Sequence, residues 1–576
     1  MTASPVSFTS RLHTWIEELR HSENQLTLLL SVVVGVLVGL VTVAFILITG
    51  RLAARMYPAG GAGWRRILVP TLGSLSTGFL LSRYFPFARG SGIPQTKFAM
   101  VVNDGRILLR TVVGKLLCCS TSLASGIALG REGPSVQIGA GVASVIGRNS
   151  GLSVKQVKSL IPVGCSAALA AAFNTPIAAV VFTLEEIMGD LHATVLGTAV
   201  LSSAASWMVL HYFLGDDPLF HVPDYRLVHS AELAVYAVLG VVGGLGSVVF
   251  VKLLLWMRDR FLRLPAKTVW IQPVVGGLTV GLLGYFFPDV LGVGYNFVDR
   301  VLNGDAVLKT VLLLAALKIV ATATCYASGN AGGIFGPSLF IGAMIGAATG
   351  GVAQKLFPGI TGGPGAYALV GMGTAFAGII RTPFTSVIMI FELTRDYTII
   401  VPLMISNTIA YFISQKLQHE TIYDALAQQD GVHLPSSHSH EPSGPGNVTL
   451  AMRTPPVILS PKFTVREAME EVKDSELDSW PVSAGPRFCG MIRHADMARA
   501  LTLEAGETTL ADLLGEMPAE FPHVHPDHQL HLALERMGSN GLTVLPVVSR
   551  ASLRQLIGIV VLEDVLKAYG VVHERL

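Results

Sequence analysis

Between Gln25 and Gly50 the chain carries no Asp, Glu, Lys or Arg, and about 20 apolar residues suffice to cross a bilayer as a helix. Lipid is therefore part of its solvent, and backbone polar groups there must be satisfied within helices. Further apolar segments lie near 67–83, 107–129, 134–147, 159–172, 176–184, 192–214, 231–257, 270–287, 306–326, 334–357, 366–380, 384–391 and 397–414. Several are too short to cross, and Gly or Pro interrupts many. Short, broken helices are tolerated at membrane depth only where they line a cavity, so the pattern points to a transporter-type or channel-type site near the midplane.

Within this apolar region stands Gly130-Arg131-Glu132-Gly133-Pro134-Ser135. A carboxylate at membrane depth is expensive and marks a functional site by default. Glycines bracket Glu132, Pro134 suits a first helical turn, and Ser135 to Gly139 continues as helix. A helix N-terminus presents unpaired N–H groups and the positive end of the helix dipole, so it holds an anion without a cationic side chain. The pattern predicts that Glu132 itself occupies such an anion site and swings away when protonated.

Gly90-Ser91-Gly92-Ile93-Pro94 offers a hydroxyl and backbone amides at a second glycine-flanked turn, and Gly332-Gly333-Ile334-Phe335-Gly336-Pro337 offers a third. At these residues the sequence resembles the CLC family of chloride channels and chloride/proton exchangers, whose anion site is assembled from GSGIP, GREGP and GxFxP segments in this order. The resemblance covers roughly residues 25–425.

The region also repeats itself. Gly130 to Ala140 matches Gly333 to Ala343 at an offset of 203 (Pro134 to Pro337), and Asn174-Thr175-Pro176 matches Arg381-Thr382-Pro383 at 207 (Pro176 to Pro383). Each of the latter prolines is followed nine residues later by a glutamate, Glu185 and Glu392. Two halves with equivalent broken segments suit a site between halves. That the halves are inverted is what the resemblance implies.

The resemblance makes Glu132 the gating glutamate, competing with chloride for the outer anion position. It assigns chloride binding to Ser91, Gly92, Ile93, Gly133, Ile334, Phe335 and Tyr423, with backbone N–H groups acting at Ile334 and Phe335 and a phenolic donor at Tyr423 closing the inner mouth. Serine at 91 goes with chloride preference in that family. Read without it, Ser91 marks a turn and Tyr423 an interfacial anchor. Glu186 matches the family's inner proton-transfer glutamate, where channels generally carry an apolar residue. Its neighbour Glu185 reads as a solvated helix cap. Arg131 reads as a structural hydrogen-bond donor, and Lys115 as a side chain that snorkels to the interface.

Hydrophobic residues make up 51% of the 576 and charged residues 14%, against about 25% charged in soluble proteins. The deficit ends near residue 427. The expected organisation is a cytoplasmic lead-in helix over 1–24, a membrane domain over 25–426, a Gly/Pro/Ser/His linker over 427–448 and a soluble tail over 449–576. No cleavable signal is read at the N-terminus. A net charge of +2 gives no case for nucleic-acid binding. Cys118, Cys119, Cys165, Cys325 and Cys489 lack metal or redox spacing and read as reduced, mostly core thiols. The arginines of the 51–66 loop conflict with cytoplasmic termini under the positive-inside rule; the family pattern is followed.

The tail is duplicated as well. Pro461, Val465 and Ala468 recur as Pro526, Leu530 and Ala533 (Pro461 to Pro526, offset 65), and Gly490 leading to Asp496 recurs as Gly558 leading to Asp564 (Gly490 to Gly558, offset 68). Leu545 to Val548 reads as a buried strand and Glu563 to Ala568 as a helix. This resembles a tandem pair of CBS modules, about 449–505 and 510–576. In that family the terminal Asp binds the ribose of an adenine nucleotide with a Ser or Thr three residues earlier. Those earlier positions are Arg493 and Val561 here, which weakens nucleotide binding at Asp496 and Asp564. His433, His438 and His440 read as linker, and His523, His525 and His528 as scaffold, without a metal.

The fold class expected is an all-α polytopic membrane domain of inverted, broken-helix repeats followed by a small α/β CBS pair. The function expected is exchange of chloride for protons by a homodimer in a lipid bilayer, in the cell's inner membrane with both termini cytoplasmic, without a resident cofactor. Alternatives are a passive chloride channel on the same scaffold and an intramembrane enzyme using Glu132 and Glu186 as acid and base. No nucleophile or metal set accompanies that last reading.

Overall fold

The computed structural model describes residues 23–569 apart from 59, 102, 190–194, 217, 224, 226–227, 306, 395–396, 431–445, 504–505, 516–520 and 551. The expected lead-in helix and the linker histidines lie outside the described residues, apart from the first residues before Gln25. The chain divides into two compact units, 1–426 and 427–576.

In the first unit, six helical stretches among the described residues are long and apolar enough to cross a membrane, beginning with Gln25–Met56. Shorter helices lie between them. Pro176 and Pro383 stand where their missing N–H costs nothing, opening the helices Pro176–Phe182 and Pro383–Thr394. Each follows a helix, Val154–Phe173 or Pro364–Ile380, that ends on a left-handed residue, Asn174 (φ 60°) or Arg381 (φ 68°). A left-handed cap lets the chain reverse within two residues. Arginine is an uncommon occupant of that conformation. Its guanidinium is held by the carbonyls of His419 and Ser414 at 2.8 and 3.1 Å and by that of Gln418.

Helices in lipid approach closely through small residues, and here the same device occurs twice. A Cβ on Gly139 or Gly164 would strike the other residue's carbonyl, and so would one on Gly342 or Gly371. These pairs bring the helix Glu132–Asn149 against Val154–Phe173, and Phe335–Leu356 against Pro364–Ile380.

Contacts between the halves are reciprocal. Gly130 and Gly333 form an isolated antiparallel bridge in which each N–H donates to the other's carbonyl at 2.7 Å. Glu185 accepts from the N–H groups of Phe384 and Thr385 and the Thr385 hydroxyl at 3.2, 2.8 and 2.7 Å. Glu392 accepts from Ile177 and Ala178 at 2.9 and 2.7 Å. Each glutamate thus caps the other half's short helix. Exchanged contacts of this kind require a local two-fold relation. Glu185, expected as a solvated cap, is instead only 5% exposed: its carboxylate is withdrawn from water because the orphan amides of a helix 200 residues away need it.

Lys115 corrects a second expectation. It is fully buried and does not snorkel, because its ammonium donates to the carbonyls of Ala88 and Gly90 at 3.0 and 2.6 Å. Lys318 does the same for Val290 and Gly292 at 3.0 and 2.6 Å.

The second unit contains two α/β modules. In one, the helix Val465–Glu471, started by a Thr464/Glu467 capping box, precedes the hairpin β2 (Ser479–Ala484) and β3 (Arg487–Arg493) and the helix His494–Thr502. In the other, Leu530–Asn540 precedes β4 (Val544–Val548), β5 (Leu556–Val561) and Leu562–Ala568. β1 (Met452–Arg453) adds to β5, giving the order β1-β5-β4. Val465, Ala468, Leu530 and Ala533, paired by the tail's repeat, all lie in cores. All five cysteines are free, four of them buried and Cys489 half-buried.

Candidate functional site: three helix-entry turns around two buried glutamates

The three glycine-flanked turns meet. Ser91 is fully buried, and a Cβ built on Gly133 would come within 2.7 Å of its carbonyl oxygen. One on Gly333 would lie 3.2 Å from the Gly133 nitrogen. Gly133 belongs to the first turn of Glu132–Asn149 and Phe335 opens Phe335–Leu356, so two helix N-termini, with their orphan amides, are brought beside the Ser91 turn. The hydroxyl of Ser91 has no hydrogen-bond partner among the described residues.

One expected contributor is engaged elsewhere. Gly92, in the left-handed region at φ 108°, donates its N–H to the side-chain oxygen of Gln95 at 2.9 Å. A polar residue three places on folds back onto the turn as in a capping box, so the Gly92 amide is already spent locally. Ile93, Ile334 and Phe335 are buried. The Phe335 ring packs against Phe173, Phe182 and Phe376 at centroid distances of 5.1, 5.0 and 4.5 Å, which fixes the backbone of that turn through its side chain.

Glu132 is fully buried. Its Oε1 accepts from the Tyr295 hydroxyl at 2.7 Å, while Oε2 accepts from no described residue. The carboxylate lies over the meeting point of the halves: a side chain at Gly130 would run into Oε2, and one at Gly336 would come within 3.3 Å of it. Arg131 turns away, its guanidinium 3.4 Å from the Ala172 carbonyl.

Glu186 shares a π-helical turn, Thr183–Met188, with Glu185. The wider turn sends adjacent carboxylates to different partners, and such turns are frequent at functional sites. Glu186 is 1% exposed; Oε1 accepts from the Lys97 ammonium at 2.5 Å and Oε2 has no partner among the described residues. Lys97 also lies 3.7 Å from Asp424, next to Tyr423, which is fully buried at the start of Ile422–Gln429. Lysine thus links the proposed proton residue to the segment carrying the phenol.

Sequence reasoning missed Lys97, Asp424, Lys318 and Tyr295. Lys97 had a signal, a cation within an apolar helix just after a motif turn. Lys318 and Tyr295 had another: Gly292-Val293-Gly294-Tyr295 and Lys318 stand 202 and 203 residues after Gly90-Ser91-Gly92-Ile93 and Lys115 (Gly90 to Gly292; Lys115 to Lys318).

In the tail, Asp496 is paired bidentately with Arg493 at 2.9 and 3.1 Å, and Asp564 lies 3.3 Å from the Arg453 guanidinium. Asp496 is held by its arginine, whereas Asp564 faces Arg453 with an Oδ2 that makes no hydrogen bond among the described residues; neither acid carries a hydroxyl residue three places before it, so the side chain that would assist it at a ribose is missing at both positions. Among the described residues no group of three or more His, Cys, Asp or Glu could hold a metal ion.

A family model described as voltage gated chloride channel matches residues 73–415, more than half the chain, and a CBS domain model matches 446–503 and 510–571. The H(+)/Cl(-) exchange transporter ClcA of Vibrio campbellii is 32% identical over 359 residues, 60% of this chain and 76% of its own length. That of Vibrio parahaemolyticus is 30% identical over 423 residues, 69% and 88%. Among solved structures, a slow cyanobacterial Cl-/H+ antiporter matches with a TM-score of 0.66 at 26% identity, covering 70% of this chain and 97% of that one. A eukaryotic CLC transporter matches with 0.72 at 20% identity, covering 93% and 97%, a likeness of fold. The chain belongs to the voltage-gated chloride channel family, with a helical CLC fold followed by a pair of CBS domains.

Proposed function

We propose that the protein exchanges chloride for protons across a membrane, with Glu132 as the gate and Glu186 as the residue that passes protons to it. The observation that carries this reading is the state of two carboxylates. Each is buried, each has one oxygen held by a single donor, and the second oxygen accepts nothing from the described residues. A carboxylate so placed can take a proton without breaking a network, whereas the fully bonded Glu185 cannot.

In the cycle, chloride sheds water against the N–H groups of Gly133, Ile334 and Phe335, the amide of Ile93 and the hydroxyls of Ser91 and Tyr423. Oriented dipoles replace its hydration, and weak multi-site binding lets it leave. Ionised Glu132 competes for the same positive ends of helices; protonated, it loses that attraction and vacates the path. Glu186 gives protons a route separate from chloride, which coupled exchange requires and a passive channel does not. Support comes from the relatives named exchange transporters. By family likeness we place both termini in the cytoplasm, propose a homodimer with one pathway per subunit, and give the CBS pair a regulatory role without nucleotide.

Chloride and proton fluxes recorded together from purified protein in liposomes test the reading. Glu132→Ala is expected to abolish proton coupling and leave chloride flux; Glu186→Ala is expected to stop proton movement alone. Intact coupling in both variants rejects it.

A further inference from the structure

The second half builds its own copy of the Ser91 turn. Gly90 and Gly92 have φ of 87° and 108°; Gly292 and Gly294, 202 residues on, have 61° and 86°. Lys115 ties the carbonyls of Ala88 and Gly90 at the same 3.0 and 2.6 Å at which Lys318 ties those of Val290 and Gly292. The first copy packs on Gly133; the second packs on Gly336, where a Cβ would come within 2.6 Å of Val293 and 2.8 Å of the Tyr295 hydroxyl.

The copies differ in where they put a hydroxyl. Ser91 corresponds to Val293, which has none, and Ile93 corresponds to Tyr295, whose phenol reaches across to Glu132 Oε1 at 2.7 Å. The ring is held edge to face by Phe220, centroids 5.3 Å apart. Gly294 fixes its origin, since a Cβ there would meet the Phe340 ring at 2.7 Å. The phenol is therefore aimed, and the carboxylate is what it is aimed at.

We propose that Tyr295 is a positioning residue for the gate: it holds ionised Glu132 in the anion path and thereby sets the pH at which the gate opens. This rests on the reading of Glu132 as the gate. A phenol donating to a carboxylate favours the charged form. Tyr295 is the one described donor to this carboxylate, so removing it leaves nothing among the described residues to hold Glu132 in the path, and the gate is expected to open at less acid pH.

The test is chloride flux in liposomes as a function of pH for the wild type, Tyr295→Phe, Glu132→Gln and the double variant. Phenylalanine keeps the packing on Phe220. Tyr295→Phe is expected to move the midpoint of acid activation about one pH unit upward, with the flux at acid plateau unchanged, and to add nothing in the Glu132→Gln background. 3-Fluorotyrosine at 295, a stronger donor, is expected to move the midpoint down. An unmoved midpoint in both single variants at position 295, while Glu132→Gln abolishes the pH dependence, overturns the role of Tyr295 and leaves the gate standing. A midpoint shift that persists in the double variant also overturns it. Glu132→Gln with wild-type pH dependence overturns the gate itself.

Discussion

Gly130 and Gly333 occupy equivalent places in the two halves, and each donates its N–H to the other's carbonyl at 2.7 Å. A local two-fold axis therefore passes between them. Two residues on, the same axis relates Glu132 to Phe335, so one frame carries a carboxylate on one side and a buried aromatic ring on the other. Ser91 against Val293 and Ile93 against Tyr295 extend the asymmetry. The backbone cradle is symmetric, and the chemistry that distinguishes its two sides is added by side chains.

A Cβ meets an obstacle on either side of that contact, a direct clash at Gly130 and a tight fit at Gly333, with different consequences. At Gly130 the nearest obstacle is the mobile end of Glu132, with the Gly336 nitrogen at 3.1 Å. Gly130→Ala is expected to dislodge the carboxylate, raising chloride flux at neutral pH and weakening proton coupling. At Gly333 the obstacles are the Gly133 nitrogen and Pro134 Cδ, both at 3.2 Å, which cannot move aside. Gly333→Ala is expected to cost about 1–3 kcal/mol by overpacking, read as a lower Tm in detergent with coupling retained.

The buried lysines serve different sides of the site. Replacing either by Met leaves two carbonyls without their cationic donor, and a buried unsatisfied polar group costs about 1–3 kcal/mol. Lys115→Met loosens the turn bearing Ser91 and is expected to weaken chloride binding measured by calorimetry. Lys318→Met loosens the turn bearing Tyr295 and is expected to move the pH midpoint of flux upward, with less change in chloride affinity.

The exchanged caps predict a stability effect. Glu185 closes the N-terminus of Pro383–Thr394 and Glu392 that of Pro176–Phe182. Losing a helix cap costs about 0.5–2 kcal/mol. Glu185→Ala is expected to lower Tm more than Glu392→Ala, because Glu185 accepts three hydrogen bonds and is the more deeply buried. Differential scanning of the two variants in one detergent checks the order.

The turns at Ser91, Glu132 and Phe335 were legible because glycine before an apolar helix and proline in its first turn are local instructions. So was the repeat, down to the nine-residue spacing of Glu185 and Glu392. Their partners were not legible, since a cap exchanged between halves depends on how those halves meet, and no local pattern encodes that. Lys115 shows the same limit: an ammonium that serves carbonyls about 25 residues earlier looks, in sequence, like one that reaches for water. The Gly92 amide is engaged for a local reason, since Gln95 at three residues' distance was visible as a competing acceptor.

The tail carries a pH dependence of its own. His523 and His528 hold their pKa below the usual imidazole value, in each case chiefly because burial disfavours the charged ring. His525 and Arg536 repel a proton on both, and Arg550 does so on His528, against the opposing pull of Asp527. Unfolded imidazoles titrate near 6.5, so in the window from there down to the folded values the unfolded chain binds more protons. The stabilisation is full above that window and is lost as pH falls through it. Asp527, held below the carboxylate range by the Arg550 hydrogen bonds, contributes above its unfolded value and is lost only at lower pH. The strand at risk is β4, which pairs with this segment through Val524 N–H to Pro546 and Val548 N–H to Val524. Hydrogen exchange of the β4 amides in the full-length protein, corrected for intrinsic rates, is expected to speed up between pH 7 and pH 5. His523→Gln with His528→Gln is expected to flatten that dependence, and an unchanged slope would show that these rings do not set it.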